Sequence, residues 1–176
     1  MSRTDVSGAD AVAKVQEFLD ANWDTGLTVR EWWRRLAAAG YAFPAWPQGL
    51  GGLGAPAADA RAITGVLAAR GVIGPPSGHV AATLAAPTLL EHGTPKQVAR
   101  FVWPIALGEA AWCQLFSELG SGSDLASVGT RAVPDGEEWV IEGQKVWNSG
   151  ADTADFGMLL ARTDPGLPKH QGLTYF

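Results

Sequence analysis

The feature that most constrains this chain is a change of hydrophobic period near residue 110. Before it, apolar residues recur at three- and four-residue spacing; after it they alternate between turn signals, so helices precede strands and an α+β architecture follows. Val12, Val15, Leu19 and Trp23 make one helical stripe behind a possible Ser7 cap. Thr28-Val-Arg-Glu31 has the spacing of a capping box, and the helix it opens runs through Ala37-Ala38-Ala39 to a stop at Gly40. The Tyr41 to Gly54 stretch, YAFPAWPQGLGGLG, reads as a loop with aromatic anchors. A third helix is expected from Pro56 to Gly71, carrying Ile63, Val66, Leu67 and Arg70. Another starts near Pro76, is broken or kinked at Pro87 and ends at His92-Gly93. Thr94-Pro95-Lys96-Gln97 repeats the box logic and opens a helix to about Trp103.

In the second half, Trp112 to Phe116 and Val128 to Val133 read as strands, the latter ending in a Pro134-Asp135-Gly136 turn. Trp139-Val140-Ile141 and Lys145-Val146-Trp147 flank Glu142-Gly143, which suggests a tight hairpin. Strands about Phe156 to Arg162 and Leu173 to Phe176 complete the pattern. The expected division is a helical domain over residues 1–110 and part of a β-domain over 111–176. Because the chain stops inside an apolar strand, a truncated chain is expected.

Thirteen Lys+Arg against eighteen Asp+Glu give a net charge of −5 without a basic stripe, which argues against nucleic acid as a partner. No apolar run reaches the ~20 residues of a membrane span. One cysteine, Cys113, cannot form an internal disulfide, and His79, His92 and His170 lack metal-ligand spacing. Together these point to a cytoplasmic protein with no metal and no membrane association.

Two segments can carry chemistry. Ser117-Glu118-Leu119-Gly120-Ser121-Gly122-Ser123-Asp124 follows a strand and can turn several N–H groups and hydroxyls onto one ligand. Leu125 stands where a dinucleotide fingerprint needs its third glycine, and no GK[ST] follows as in a P-loop. Taken alone the segment is equally a strand-to-turn connection with Asp124 capping a short helical turn. In Gly143-Gln144-Lys145-Val146-Trp147-Asn148-Ser149-Gly150, a Trp two residues before a Ser can set a π-face and a hydroxyl beside a planar heterocycle, although a lone Trp more often belongs to a core.

In this order, LFSELGSGSDLAS, TRAV, EEWVIEGQKVWNSGA and LLARTDP, with PAWPQGLGGLG, EHGTPKQ and FVWPIALGE upstream, resemble the acyl-CoA dehydrogenase family over essentially the whole chain. The resemblance implies a helical N-terminal domain, the first strands of a β-barrel middle domain, and a C-terminal helical bundle that this chain does not contain. It implies FAD as cofactor, an acyl-CoA thioester as substrate, electron-transfer flavoprotein or a similar acceptor as partner, and a homo- or hetero-oligomer. By position, Gln114, Leu115, Phe116, Ser117, Gly122 and Ser123 match the first flavin-binding segment, and Trp147, Asn148 and Ser149 the second. Ser117 would serve the pyrimidine edge of the isoalloxazine, Ser149 the N5 region and Trp147 the ring face. Ser123 would also meet the CoA arm. Leu119 stands where the family usually has proline, which leaves the loop less pre-organised.

No catalytic residue is expected in this chain, since the family's general base lies in the C-terminal domain. Glu118 and Asp124 are accordingly read as loop hydrogen-bonding groups, Arg30, Arg34 and Arg35 as a solvated or subunit-facing edge, and Cys113 as packing. The leading function is α,β-dehydrogenation of an acyl-CoA. An oxygen-using relative, such as an acyl-CoA oxidase or flavin monooxygenase, and a non-catalytic subunit needing a partner chain are the alternatives.

Overall fold

A computed structural model describes residues 8–76 and 80–176. The chain divides into two compact units at Ala110/Ala111. The proposed Ser7 cap, His79 and the start of the fourth helix fall outside the described residues.

Among the described residues, the first unit holds the α-helices α1 (Gly8–Asn22), α2 (Val29–Ala38), α3 (Ala57–Ala69), α4 (Ala86–His92) and α5 (Pro95–Ala106). Both capping boxes form. Thr28 accepts from the Glu31 N–H while the Glu31 carboxylate accepts from the Thr28 N–H, and Thr94 and Gln97 do the same for α5. The core is built from Val15 and Leu19 of α1, Trp32 and Leu36 of α2, and Ile63 and Leu67 of α3. Trp32 is fully buried yet satisfied, because its indole N–H donates to the Ile73 carbonyl at 2.6 Å. In the Tyr41 to Gly54 loop, Phe43 and Trp46 stack at 3.9 Å, and Gly52 lies so close to the carbonyls of both that no side chain fits there.

Two helical expectations shift. The irregularity expected at Pro87 is a π-helical turn, Ala81–Ala85, just before α4; Pro87 itself sits in the first turn of α4, where a missing N–H is tolerated. Helix α5 runs three residues past Trp103 to Ala106, carrying Pro104 inside it.

The second unit is a mixed sheet of β1 (Trp112–Leu115), β2 (Arg131–Asp135), β3 (Glu138–Glu142), β4 (Phe156–Arg162) and β5 (Leu173–Tyr175). Strand order is β1-β4-β2-β3, with β5 also on β4. The pairing of β1 with β4 is parallel, Trp112 opposite Phe156 through Leu115 opposite Leu159. Ala132, Leu159 and Ala161 form a small buried cluster under Leu115 and Phe176, and Cys113 is buried as a packing residue.

Three strand expectations are corrected. The strand expected over Val128 to Val133 begins at Arg131, because the N–H groups of Gly129 and Thr130 are taken by the Glu118 carboxylate rather than by a ladder. The turn expected at Pro134-Asp135-Gly136 falls at Gly136-Glu137, since Pro134 and Asp135 pair with Trp139 and Glu138. No hairpin forms at Glu142-Gly143. Residues 143–148 leave the sheet as an irregular segment, and Gly143 passes within reach of Thr130, whose Cα would lie 2.7 Å from a Cβ there.

Candidate functional site

Strand β1 delivers its last residues, Gln114 and Leu115, half-buried, into Phe116-Ser117-Glu118. The chain then reverses: Glu118 and Ser121 exchange both backbone hydrogen bonds, at 2.8 and 3.2 Å, around a Leu119-Gly120 tip. Leu119 is 82% exposed at that tip. Beyond it Gly122 and Ser123 lie exposed, and Asp124 precedes a 3-10 turn, Leu125–Ser127. Asp124 accepts from the Ser127 hydroxyl and from the Lys169 ammonium at 2.7 Å, and these bonds hold its carboxyl below the usual range.

The irregular segment after Gly143 is fastened to this loop. Val146 donates its N–H to the Ser117 carbonyl at 2.9 Å. Lys145 reaches inward and donates to the Phe116 carbonyl at 2.9 Å and to Glu118 Oε1 at 2.8 Å. Glu118 also accepts from the N–H groups of Gly129 at 2.7 Å and Thr130 at 2.9 Å. Burial alone would raise the Glu118 carboxyl, but its bonds to Lys145, Thr130 and Gly129 outweigh burial and lower it to about 2. It is an ionised carboxylate throughout the neutral range.

The segments carrying Ser117 and Trp147 are thus brought together, although they lie in separate stretches of sequence. Trp147 follows Val146 with φ of 61°, in the left-handed region that disfavours any side chain, and its indole is 86% exposed. Asn148 Oδ1 and Ser121 Oγ, on the two segments, are buried with no hydrogen-bond partner among the described residues. Ser149, next in the chain after Asn148, is exposed. Phe116 meets Tyr175 edge-on at 6.1 Å, which fixes the far side of the loop. Gly122 and Ser123 lie past the tip rather than at the Ser117–Val146 junction.

An exposed aromatic face beside polar groups suits a flat, partly polar ligand. Of the nearby carboxylates, Glu118 is ion-paired with Lys145, and Asp124 is bound to Lys169 and Ser127. Among the described residues no group of His, Cys, Asp or Glu is arranged to hold a metal ion, and no helix is long and apolar enough to cross a membrane.

Residues 9–109 match the model of the acyl-CoA dehydrogenase N-terminal domain and residues 113–176 that of the acyl-CoA dehydrogenase middle domain. The chain belongs to the acyl-CoA dehydrogenase family. Among its relatives, the acyl-CoA dehydrogenase FadE34 of Mycobacterium tuberculosis is 52% identical over 141 residues, covering 80% of this chain and 19% of FadE34. IpdE1 of the same organism, also an acyl-CoA dehydrogenase, is 44% identical over 146 residues, covering 83% of this chain and 38% of IpdE1. The solved Tcur3481-Tcur3483 steroid ACAD superposes with a TM-score of 0.67 at 30% identity, over 99% of this chain and 48% of its own. The chain therefore spans less than half the length of each. Its α+β order is that of the acyl-CoA dehydrogenase fold, a helical N-terminal domain leading into the strands of the middle domain.

The reading by residue type missed Lys145 as a site-building residue. Its own segment, EGQKVWNS, carries no signal of this role, because its partners lie more than twenty-five residues away.

Proposed function

We propose that the protein to which this chain belongs is an FAD-dependent acyl-CoA dehydrogenase that introduces an α,β double bond into an acyl-CoA thioester. The observation that carries this reading is Trp147: an 86% exposed indole in left-handed backbone, next to Val146, whose N–H donates to the Ser117 carbonyl. Such an arrangement is strained and apolar in water, and a planar heterocycle laid on the indole would cover it. Asn148 Oδ1 and Ser121 Oγ, buried and unpartnered, fit a ligand whose edges carry donors and acceptors. The family's dependence on flavin supports the same assignment.

In this reading Ser117 donates toward the pyrimidine edge of the isoalloxazine, Ser149 toward the N5 region, and Trp147 excludes water from the ring face. Gln114, Leu115, Phe116, Gly122 and Asn148 line the rest, and Ser123 serves the CoA arm. Fixed donors at the pyrimidine edge stabilise negative charge there. FAD supplies the acceptor for the β-hydride. The base that takes the α-proton lies outside this chain, and electrons leave through electron-transfer flavoprotein or a similar acceptor. The assembly is a homo- or hetero-oligomer in the cytoplasm.

The test is stopped-flow reduction of the intact protein by an acyl-CoA. The parent is expected to carry a flavin spectrum that bleaches on mixing, and Ser117→Ala to bleach more slowly with a lowered flavin potential. A parent without flavin would overturn the reading; a parental rate in Ser117→Ala would remove Ser117 from its role.

A further inference from the structure

Lys145 and Glu118 are the charged pair with the least exposure in the second unit, at 7% and 15%. Lys145 Nζ donates to the carbonyl of Phe116, the residue before Ser117, and to the carboxylate of Glu118, the residue after it. Val146 holds the carbonyl of Ser117 itself. Three consecutive residues of the first segment are therefore gripped by two consecutive residues of the second, immediately before Trp147. Glu118 anchors the grip to the sheet through the N–H groups of Gly129 and Thr130, which lead into β2.

Ion pairs of this kind add little net stability, because desolvation offsets most of the attraction, but leaving one partner unpaired is costly. What the pair does supply is a fixed length. A salt bridge with further hydrogen bonds on both partners has one good geometry, whereas apolar contacts slide.

We propose that Glu118 and Lys145 are positioning residues whose ion pair, locked to the Phe116 carbonyl, sets the separation of Ser117 from the Trp147-Asn148-Ser149 corner and thereby the fit of the flavin. The inference rests on the flavin reading given above. It assigns neither residue to the chemistry: both act through the backbone of Ser117 and Trp147.

The test uses the intact protein and reads the flavin rather than turnover. In Glu118→Gln/Lys145→Met no charge is left unpaired, so the fold is retained by far-ultraviolet circular dichroism. The FAD dissociation constant is expected to rise at least tenfold and the induced visible circular dichroism of the bound flavin to change. Lys145→Arg keeps the charge but alters the length; it is expected to show the same spectral change with a smaller loss of affinity, and it decides the matter if the double variant does not fold. Arg162→Lys is the control, since Arg162 ties the Val128 and Ala126 carbonyls in the same unit without joining the two segments. It should lower the melting temperature and leave the FAD constant alone. Parental FAD affinity and spectrum in a folded double variant or in Lys145→Arg would overturn the proposal while leaving the flavin reading intact, as would an equal loss of affinity in Arg162→Lys. A parent that binds no FAD would overturn both.

Discussion

The N–H of Val146 and the carbonyl of Ser117 meet at 2.9 Å, and this one backbone bond sets Trp147 beside the turn that begins at Ser117. Because the indole is exposed and the backbone left-handed, Trp147 contributes nothing to the core and carries a conformational cost. In the absence of flavin, Trp147→Gly should change unfolding free energy by no more than about 1 kcal/mol. In the flavin-loaded intact protein, Trp147→Ala should weaken FAD retention and alter the flavin absorption band. Equilibrium denaturation and flavin titration check the two halves; an unaltered spectrum and affinity would place Trp147 elsewhere.

Glu118 supplies the pH dependence. Its folded pKa of about 2 lies below the ordinary 4.5, so between these values the unfolded chain binds the extra proton. The stability it confers is complete above pH 4.5 and is lost as pH falls from there toward 2. Urea midpoints measured across that range should drop steeply for the parent and less steeply for Glu118→Gln. Parallel slopes would mean that the carboxylate is not held as described.

Among the described glycines of the helical unit, Gly52 is the least able to accept a side chain. A Cβ would sit 2.5 Å from the Phe43 carbonyl oxygen and overlap that of Trp46, and both are backbone atoms in a loop closed by its own hydrogen bonds. Gly52→Ala should cost roughly 2 kcal/mol or more. A thermal melt reports it, and a parental melting temperature would show that the loop can open without loss.

The two capping boxes are equivalent in geometry, so Thr28→Ala and Thr94→Ala should each cost about 1 kcal/mol. Replacement of Glu31 removes only the reciprocal half of its box and should cost less than Thr28→Ala. Chemical denaturation of the four proteins gives the order.

These caps were legible because each is written within four residues. The same holds for the amphipathic stripes of α1 and α3 and for the strands at β1 and β4. Glu142-Gly143 is the opposite case: the glycine is demanded by Thr130, thirteen positions earlier in the chain, and Lys145 and Val146 bond to the Phe116-Ser117-Glu118 stretch rather than to a ladder. Likewise Val128 to Thr130 looks like a strand, but Glu118 takes the N–H groups that a strand would share. The family motif paired the two candidate segments as an expectation, whereas the salt bridge joining them follows no local rule. Side chains that bond across long separations leave a mark on composition and none on periodicity.

The parallel pairing of Trp112–Leu115 with Phe156–Leu159 has a kinetic consequence. It closes a chain loop from Phe116 to Asp155, and both candidate segments lie inside that loop. Helices with their own caps order quickly, from neighbours in sequence; a parallel pairing must first bring distant stretches together before any contact rewards the lost chain entropy. Ser117 and Trp147 are therefore expected to come within reach of each other late in folding, when β1 finds β4.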